Sequence, residues 1–380
     1  MDDDPEAREV ALPADAPEEI RQFAESRKQM LDTIFNVSEE RLHLMNFIKD
    51  TFGRYLSQKV VEEILASPEG RKVGGQQKTV TILMSDLRGF TYMSENNDPE
   101  NIVTLLNRYL ERMSKVIVSY GGTIDEFIGD AILAIFGVPE EHDNDPARAV
   151  ACGNAMQNAL IELNADFLKE GYPPLEMGIG INTGQVVVGT NGSELRMKYG
   201  IVGSAVNVAA RIESNTTGGE VFVGESVFSE TKDLVEVEKA RSVMMKGLKR
   251  PLVYYPVAAI GAPYSVRLQT PAADEKGIRI RLPFHLWEIE DEKVGDDKLS
   301  GETLTINESD IVAVVERPLD RLTDVKLIFN FCANVHCFDE IYAKVTASEK
   351  REQDTVNRFA ITSINPEDRA VLQKWMQAAA

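Results

Sequence analysis

Two aspartates in this sequence stand where a chain can hold a cation. Asp86 ends the apolar run TVTILMSD, which reads as a strand, immediately before a loop containing Gly89. Asp130 sits beside Gly129 at the tip of a hairpin expected between TIDEFIG and AILAIFG, a stretch that also carries Asp125 and Glu126. If the two strands are neighbours, both carboxylates emerge at one sheet edge, and a pair of hard anionic oxygens there suits Mg²⁺ or Mn²⁺. The loop LRGFT then opens a helix, so Gly89, Phe90 and Thr91 can offer backbone N–H groups to phosphate oxygens, with Gly89 permitting close approach. Two metals over a nucleoside triphosphate would activate an attacking oxygen and neutralise the departing one. An aspartate after a strand is also an ordinary turn or cap residue, so spacing alone leaves both readings open.

Positioning these residues takes an ordered set of elements. A helix is expected over Pro99 to Ser119, with Ile102, Leu105, Leu106, Tyr109, Met113 and Val116 on one face. After the hairpin come a long helix from about Asp145 to Lys169 and a second strand pair in LEMGIGINTGQVVVG, turning at Asn182, Thr183 and Gly184. A short helix, SAVNVAARIES, and the strand GGEVFVG follow. This order predicts an α+β domain over residues 73–257, with helices covering one face of a largely antiparallel sheet.

On the N-terminal side, residues 1–19 hold eight acidic side chains and three prolines against Arg8, the composition of a disordered tail. Residues 20–72 read as helical, and Met30, Ile34, Val37, Arg41, Leu44 and Ile48 are spaced like a coiled-coil seam with one charged interruption. A dimerising helix is expected; an amphipathic helix packed on its own domain would show the same spacing. ASPEGRKVGG stops it. On the C-terminal side, residues 258–276 read as a linker, and residues 277–380 show short alternating strands and a last helix near Pro366, the pattern of a small β-barrel.

Composition bounds the partners. With a net charge of -20 and a pI near 4.8, the exterior repels a nucleic-acid backbone or an anionic membrane surface. No run of about 18 apolar residues occurs, and MDDDPEAREV is the opposite of a secretion signal, so no integral membrane segment and a cytoplasmic location are expected. Cys152, Cys332 and Cys337 are too few for a disulfide scaffold, and with His336 the latter two fit no common zinc pattern.

The motifs SDLRGFT, GGTIDEFIGDAILAIFG, GIGINTGQVVVG, KYGIVGSAVNVAARIE and MKGLKRP, in this order, resemble the class III nucleotide cyclase catalytic domain, a ferredoxin-like βααββαβ fold. FGRYLSQKVVEEIL resembles the helical lead-in of bacterial members. The resemblance implies that Asp86 and Asp130 bind two Mg²⁺ or Mn²⁺ ions, with Leu87 supplying a backbone carbonyl. It implies that Asn207 and Arg211, four apart on one short helix, orient the ribose and stabilise charge on the α-phosphate. Lys246 and Arg196 would contact the triphosphate. The reaction would be attack of the ribose 3′ oxygen on the α-phosphorus, expelling pyrophosphate and closing a cyclic monophosphate. The family also divides each active site between two subunits, so an obligate homodimer is implied.

Glu126 departs from the commoner bacterial adenylate cyclases, which carry lysine there. An ammonium donates to adenine N1; a carboxylate has only acceptors, and its two oxygens match the N1–H and amino group of guanine. Glu126 therefore resembles the base selector of guanylate cyclases. At the second selecting position, adenylate cyclases usually have Thr or Asp and guanylate cyclases often Cys; Gly200 offers no side chain, though its backbone or a water could reach guanine O6. GTP is the expected substrate. An adenylate cyclase with an unusual selector and a catalytically inactive nucleotide-binding module are the alternatives. A diguanylate cyclase is disfavoured, because FIGDA is not its Gly-Gly-Asp/Glu-Glu-Phe hairpin.

The C-terminal segment faintly resembles a PilZ domain, a β-barrel that binds cyclic di-GMP, through Asn307 and Ser309. Val312 stands at the motif's glycine, and Arg317 and Arg321 lie on the wrong side for its paired arginines. A regulatory barrel that does not bind cyclic di-GMP in the usual way, and serves a ligand or protein partner, is expected.

Overall fold

A computed structural model describes residues 17–52, 74–193, 195–244, 250–269, 277–290, 293–307, 310–321, 323–329, 340–351 and 354–379. They fall in two units, Met1–Lys72 and Val73–Ala380. In the first, α1 (Glu18–Phe52) is one 35-residue helix, and Met30, Ile34, Val37 and Leu44 of the expected seam are exposed on it. The side chain of Ile48, and the lead-in from Gly53 onward, lie outside the described residues.

The second unit begins with β1 (Gly74–Leu87), α2 (Phe90–Asn96) and α3 (Pro99–Ser119). Asp98 caps α3, accepting a 2.8 Å hydrogen bond from Glu100 N, and Ile102, Leu105, Tyr109, Met113 and Ile117 bury one stripe of the helix. The hairpin β2 (Thr123–Ile128) and β3 (Ala131–Phe136) follows as expected. Every residue of β3 is buried, whereas β2 grows more exposed toward the tip, as befits a central strand beside an edge strand. Next come α4 (Asp145–Lys169), β4 (Met177–Ser193), β5 (Arg196–Val202), α5 (Ser204–Glu213), β6 (Val221–Gly224), α6 (Glu225–Thr231), β7 (Val235–Val237), β8 (Arg241–Val243), β9 (Leu252–Ile260) and β10 (Val266–Arg267). The sheet order is β10-β9-β6-β4-β1-β3-β2, with β5 also on β4, and β7 and β8 on β9. The segment expected as a linker from residue 258 thus begins inside the sheet, and Asn158 Nδ2 secures it by donating to the Arg267 carbonyl at 2.9 Å.

LEMGIGINTGQVVVG, expected as two strands turning at Asn182 to Gly184, is one strand. β4 pairs antiparallel with β1 without interruption from Met177 opposite Leu87 to Thr190 opposite Gly74. The polar residues read as a turn are consumed by packing. Thr183 Oγ1 lies 2.8 Å from Thr81 Oγ1, and Asn182 Nδ2 donates to the Ala205 carbonyl at 3.2 Å. Gly180 and Gly184 share a face with Asn182 because α5 lies there: a Cβ at Gly180 would stand 2.3 Å from Glu213 N, and one at Gly184 would stand 2.8 Å from Ala205 Cβ.

Helices therefore lie on both faces of the sheet rather than one. Leu83, Ile132, Phe136 and Ile181 pack with α3 and α4, while Val80, Ile82, Leu133, Ile135 and Val188 pack on the other face with Ala205 and Ala209 of α5. A closed six-stranded barrel follows, built from β11 (Pro283–Glu290), β12 (Lys293–Ile306), β13 (Asp310–Val315), β14 (Asp324–Phe329), β15 (Glu340–Arg351) and β16 (Asp354–Ser363). Its core holds Phe284, Leu286, Ile311, Leu327 and Phe359, and α7 (Pro366–Ala379) adds Leu372 to it. Ser309, Cys332, His336 and Cys337 lie outside the described residues.

Candidate active site

Pairing of β1 with β3 brings the two aspartates together. Ser85 stands opposite Ile132, which leaves Asp86 and Asp130 side by side where the two strands end. Asp130 Oδ2 accepts from the Leu87 amide at 3.2 Å. Both are pushed above the usual carboxylate range. Burial is the main cause for each; the Asp86 charge adds to it at Asp130, and the Arg88 guanidinium, 3.7 Å from Asp86, opposes it at Asp86. Two neighbouring half-buried carboxyls are a fitting pair for a hard divalent cation, whose charge would offset the cost of burying theirs. Among the described residues no three His, Cys, Asp or Glu side chains converge, so further ligands for an ion here would come from backbone, water or substrate oxygens.

Beyond Asp86 the chain turns sharply at Gly89, whose φ of 68° favours glycine, and enters α2 through Phe90 and Thr91. Phe90 is half-buried against the core and Thr91 is exposed. Arg88 points inward. It donates to the Glu213 carboxylate, to the Glu213 carbonyl at 3.0 Å and to Thr216 Oγ1 at 2.6 Å, tying the loop that bears Asp86 to the end of α5. Burial raises Glu213 to about 7, against the pull of Arg88. Sequence reasoning missed this pair: Arg88 and Glu213 were each visible inside a quoted motif, but nothing local links positions 125 apart.

On α5, Ala205, Ala209 and Ile212 face the sheet, leaving Asn207 exposed and Arg211 half-exposed on the other side. Among the described residues no hydrogen bond or ion pair joins them to Asp86, Asp130 or Glu126. Glu126 stands apart from the aspartates, on the flank of the hairpin, with its carboxylate paired to the ammonium of Lys198 on β5; the two side chains are 43% and 47% exposed.

Asp125 explains how Gly200 fits here. The register of β2 against β3 slips between Ile124 and Glu126, so Asp125 is the extra residue of a bulge and its side chain, 5% exposed, turns under β5. A Cβ on Gly200 would lie 2.8 Å from Asp125 Oδ1, so the Asp125 carboxyl fills the room a side chain at position 200 would take. Burial lifts that carboxyl to about 6, with Lys198 Nζ 3.5 Å away holding it down. The spacing of TIDEFIG against AILAIFG gave no sign of the bulge. Arg196 opens β5 opposite Ser193, its side chain outside the described residues; Lys246 lies outside them altogether.

Residues 74–259 match the family model of the adenylate and guanylate cyclase catalytic domain. The crystal structure of the guanylyl cyclase Cya2 is similar at 52% identity with a TM-score of 0.51, over 52% of this chain and 100% of that one. Among curated proteins, an adenylate cyclase of Anabaena cylindrica is 37% identical over 225 residues, covering 55% of this chain and 43% of the relative. Adenylate cyclase 1 of Rhizobium meliloti (strain 1021) is 29% identical over 221 residues, covering 57% of this chain and 33% of the relative. The chain thus spans less than half the length of these two curated relatives.

Proposed function

Because the chain belongs to the family of adenylate and guanylate cyclase catalytic domains, we propose that it is a guanylate cyclase, converting GTP to 3′,5′-cyclic GMP and pyrophosphate at a site shared by two copies of the chain. The observation that carries this reading is Glu126, an accessible carboxylate where a base is to be read. Its present partner is weakly held: an ion pair between two side chains this exposed is worth about 0–1 kcal/mol. Hydrogen bonds from guanine N1–H and its amino group to a carboxylate are worth about 1.5–3 kcal/mol each, so the base displaces Lys198.

Asp86 and Asp130, with the Leu87 carbonyl, would hold two Mg²⁺ or Mn²⁺ ions, which when bound lower the cost of ionising the 3′ hydroxyl and of releasing pyrophosphate. The chain's own residues supply orientation. Backbone N–H groups of Gly89, Phe90 and Thr91 hold phosphate oxygens at the start of α2, and Lys246 and Arg196 hold the outer phosphates. Asn207 fixes the ribose so that its 3′ oxygen lies in line with the α-phosphorus and the leaving oxygen. Arg211 meets the charge that develops on the α-phosphate. Support for a second chain comes from the exposed apolar side chains that β2 and β5 carry, Phe127, Ile128, Met197 and Val202.

One observation favours the adenylate reading: the Lys198 ammonium stands next to Glu126 and could itself donate to adenine N1. Mass spectrometry of the products formed from an equimolar mixture of GTP and ATP separates the two. Cyclic GMP in large excess is expected; a product mixture dominated by cyclic AMP assigns the base contact to Lys198 instead.

A further inference from the structure

The barrel meets the catalytic fold at the junction just described. Lys344 of β15 is 7% exposed, and its ammonium reaches the Ser214 carbonyl at 3.4 Å, at the end of α5, and Asp324 of β14 at 3.6 Å. The last carbonyls of a helix lack partners within it and carry the negative end of its dipole, so a cation there is favourable. Two cations share that end of α5. Arg88 arrives from the loop bearing Asp86, and Lys344 arrives from the barrel. Further contacts seat the barrel on the same loop. A Cβ on Gly89 would stand 2.3 Å from the Thr362 carbonyl of β16, and Arg369 of α7 faces Glu176, whose carbonyl accepts from the Arg88 amide at 2.8 Å.

Stability does not account for Lys344. Burial works against its charge, and its contacts at 3.4 and 3.6 Å are long for a paired ammonium. An apolar side chain of the same length would pack there at no such cost. We propose that Lys344 is a positioning residue through which the barrel sets the end of α5 against the Asp86 loop, so that the state of the barrel governs how Asn207 and Arg211 are presented. The inference rests on reading these residues as parts of a cyclase site. In the shared site, Asp86 of one protomer serves one active centre and Asn207 and Arg211 the other. The cluster of Arg88, Glu213 and Lys344 therefore joins the two half-sites that one protomer contributes, and the barrel holds that joint.

The test compares Lys344→Met and Lys344→Arg in the full chain. For Lys344→Met, kcat falls by about 10- to 10²-fold, the upper end being the loss that a catalytic group misplaced by about 1 Å brings, while the nucleotide KM stays within about twofold and the melting temperature does not drop. Lys344→Arg restores most of the rate. A Lys344→Met enzyme with unchanged kcat overturns the proposal, as does a loss of rate that tracks a lower melting temperature and is not rescued by arginine. Hydrogen exchange over residues 204–214 reads the same joint without turnover: faster exchange in Lys344→Met is expected, and unchanged exchange counts against the proposal. If the wild-type chain cyclises neither nucleotide, the cyclase reading fails, and exchange still decides whether Lys344 holds α5.

Discussion

Asp86→Ala lowers kcat by about 10³-fold or more yet leaves the metal-free chain at least as stable to heat as the wild type. The two effects have one origin. In the metal-free fold, burial pushes the Asp86 carboxyl away from its charged form, against the pull of the Arg88 guanidinium, so the native state gains nothing from it. Its nearest opposite charge, Arg88 at 3.7 Å, has better partners in Glu213 and Thr216. On the proposed reading the same carboxylate would hold a divalent cation in the reaction, whose stabilisation of charge in the transition state is worth several kcal/mol, and about 4 kcal/mol corresponds to a thousandfold in rate. Steady-state kinetics with saturating Mg²⁺ or Mn²⁺, beside a melting curve without metal, check both halves. A large loss of stability would mean that Asp86 is an ordinary structural residue and that the rate loss reports unfolding.

Glu126→Lys combined with Gly200→Thr moves the product toward cyclic AMP, with the ratio of kcat/KM for GTP over ATP falling by about 10²- to 10³-fold. The new ammonium offers a donor to adenine N1 and leaves the guanine donors facing another donor, a mismatch of the kind that sites built on hydrogen bonds reject by orders of magnitude. Threonine at position 200 gains its room only if the Asp125 carboxyl swings aside, because a Cβ there meets Asp125 Oδ1 at 2.8 Å. That oxygen is the free end of a side chain, so the change costs a rotamer rather than a backbone shift. Kinetics with each nucleotide measure the ratio; a guanine preference left intact by the double change would remove Glu126 from base selection.

Where sequence patterns failed, they failed at residues whose partners are far along the chain. The apolar runs TVTILMSD and AILAIFG were enough to end a strand at Asp86 and a hairpin tip at Asp130, because strand period and turn residues are local properties; that the two strands are neighbours came from the fold. The helix expected from about Asp145 to Lys169 was legible for the same reason. Asn182, Thr183 and Gly184 look like a turn by composition, but their polar groups and missing side chain serve Ala205 and Thr81, which no local window reveals. The bulge at Asp125, the ion pair of Arg88 with Glu213 and the seating of Lys344 on Ser214 are likewise tertiary facts. The family motifs named the candidate residues; only the packing showed that the Asp86 loop, the end of α5 and the barrel share one buried cluster of charges.

Mixing two chains that are each inactive tests the account most directly. One carries Asp86→Ala and retains Glu126, Asn207 and Arg211; the other carries Arg211→Ala and retains the aspartates. In a symmetric dimer random exchange makes half the dimers mixed, each with one intact site of two, so about a quarter of the wild-type rate of cyclic GMP formation returns. A mixture that exchanges subunits and stays inactive, or regains activity only as cyclic AMP, contradicts a guanine-reading site assembled from two chains.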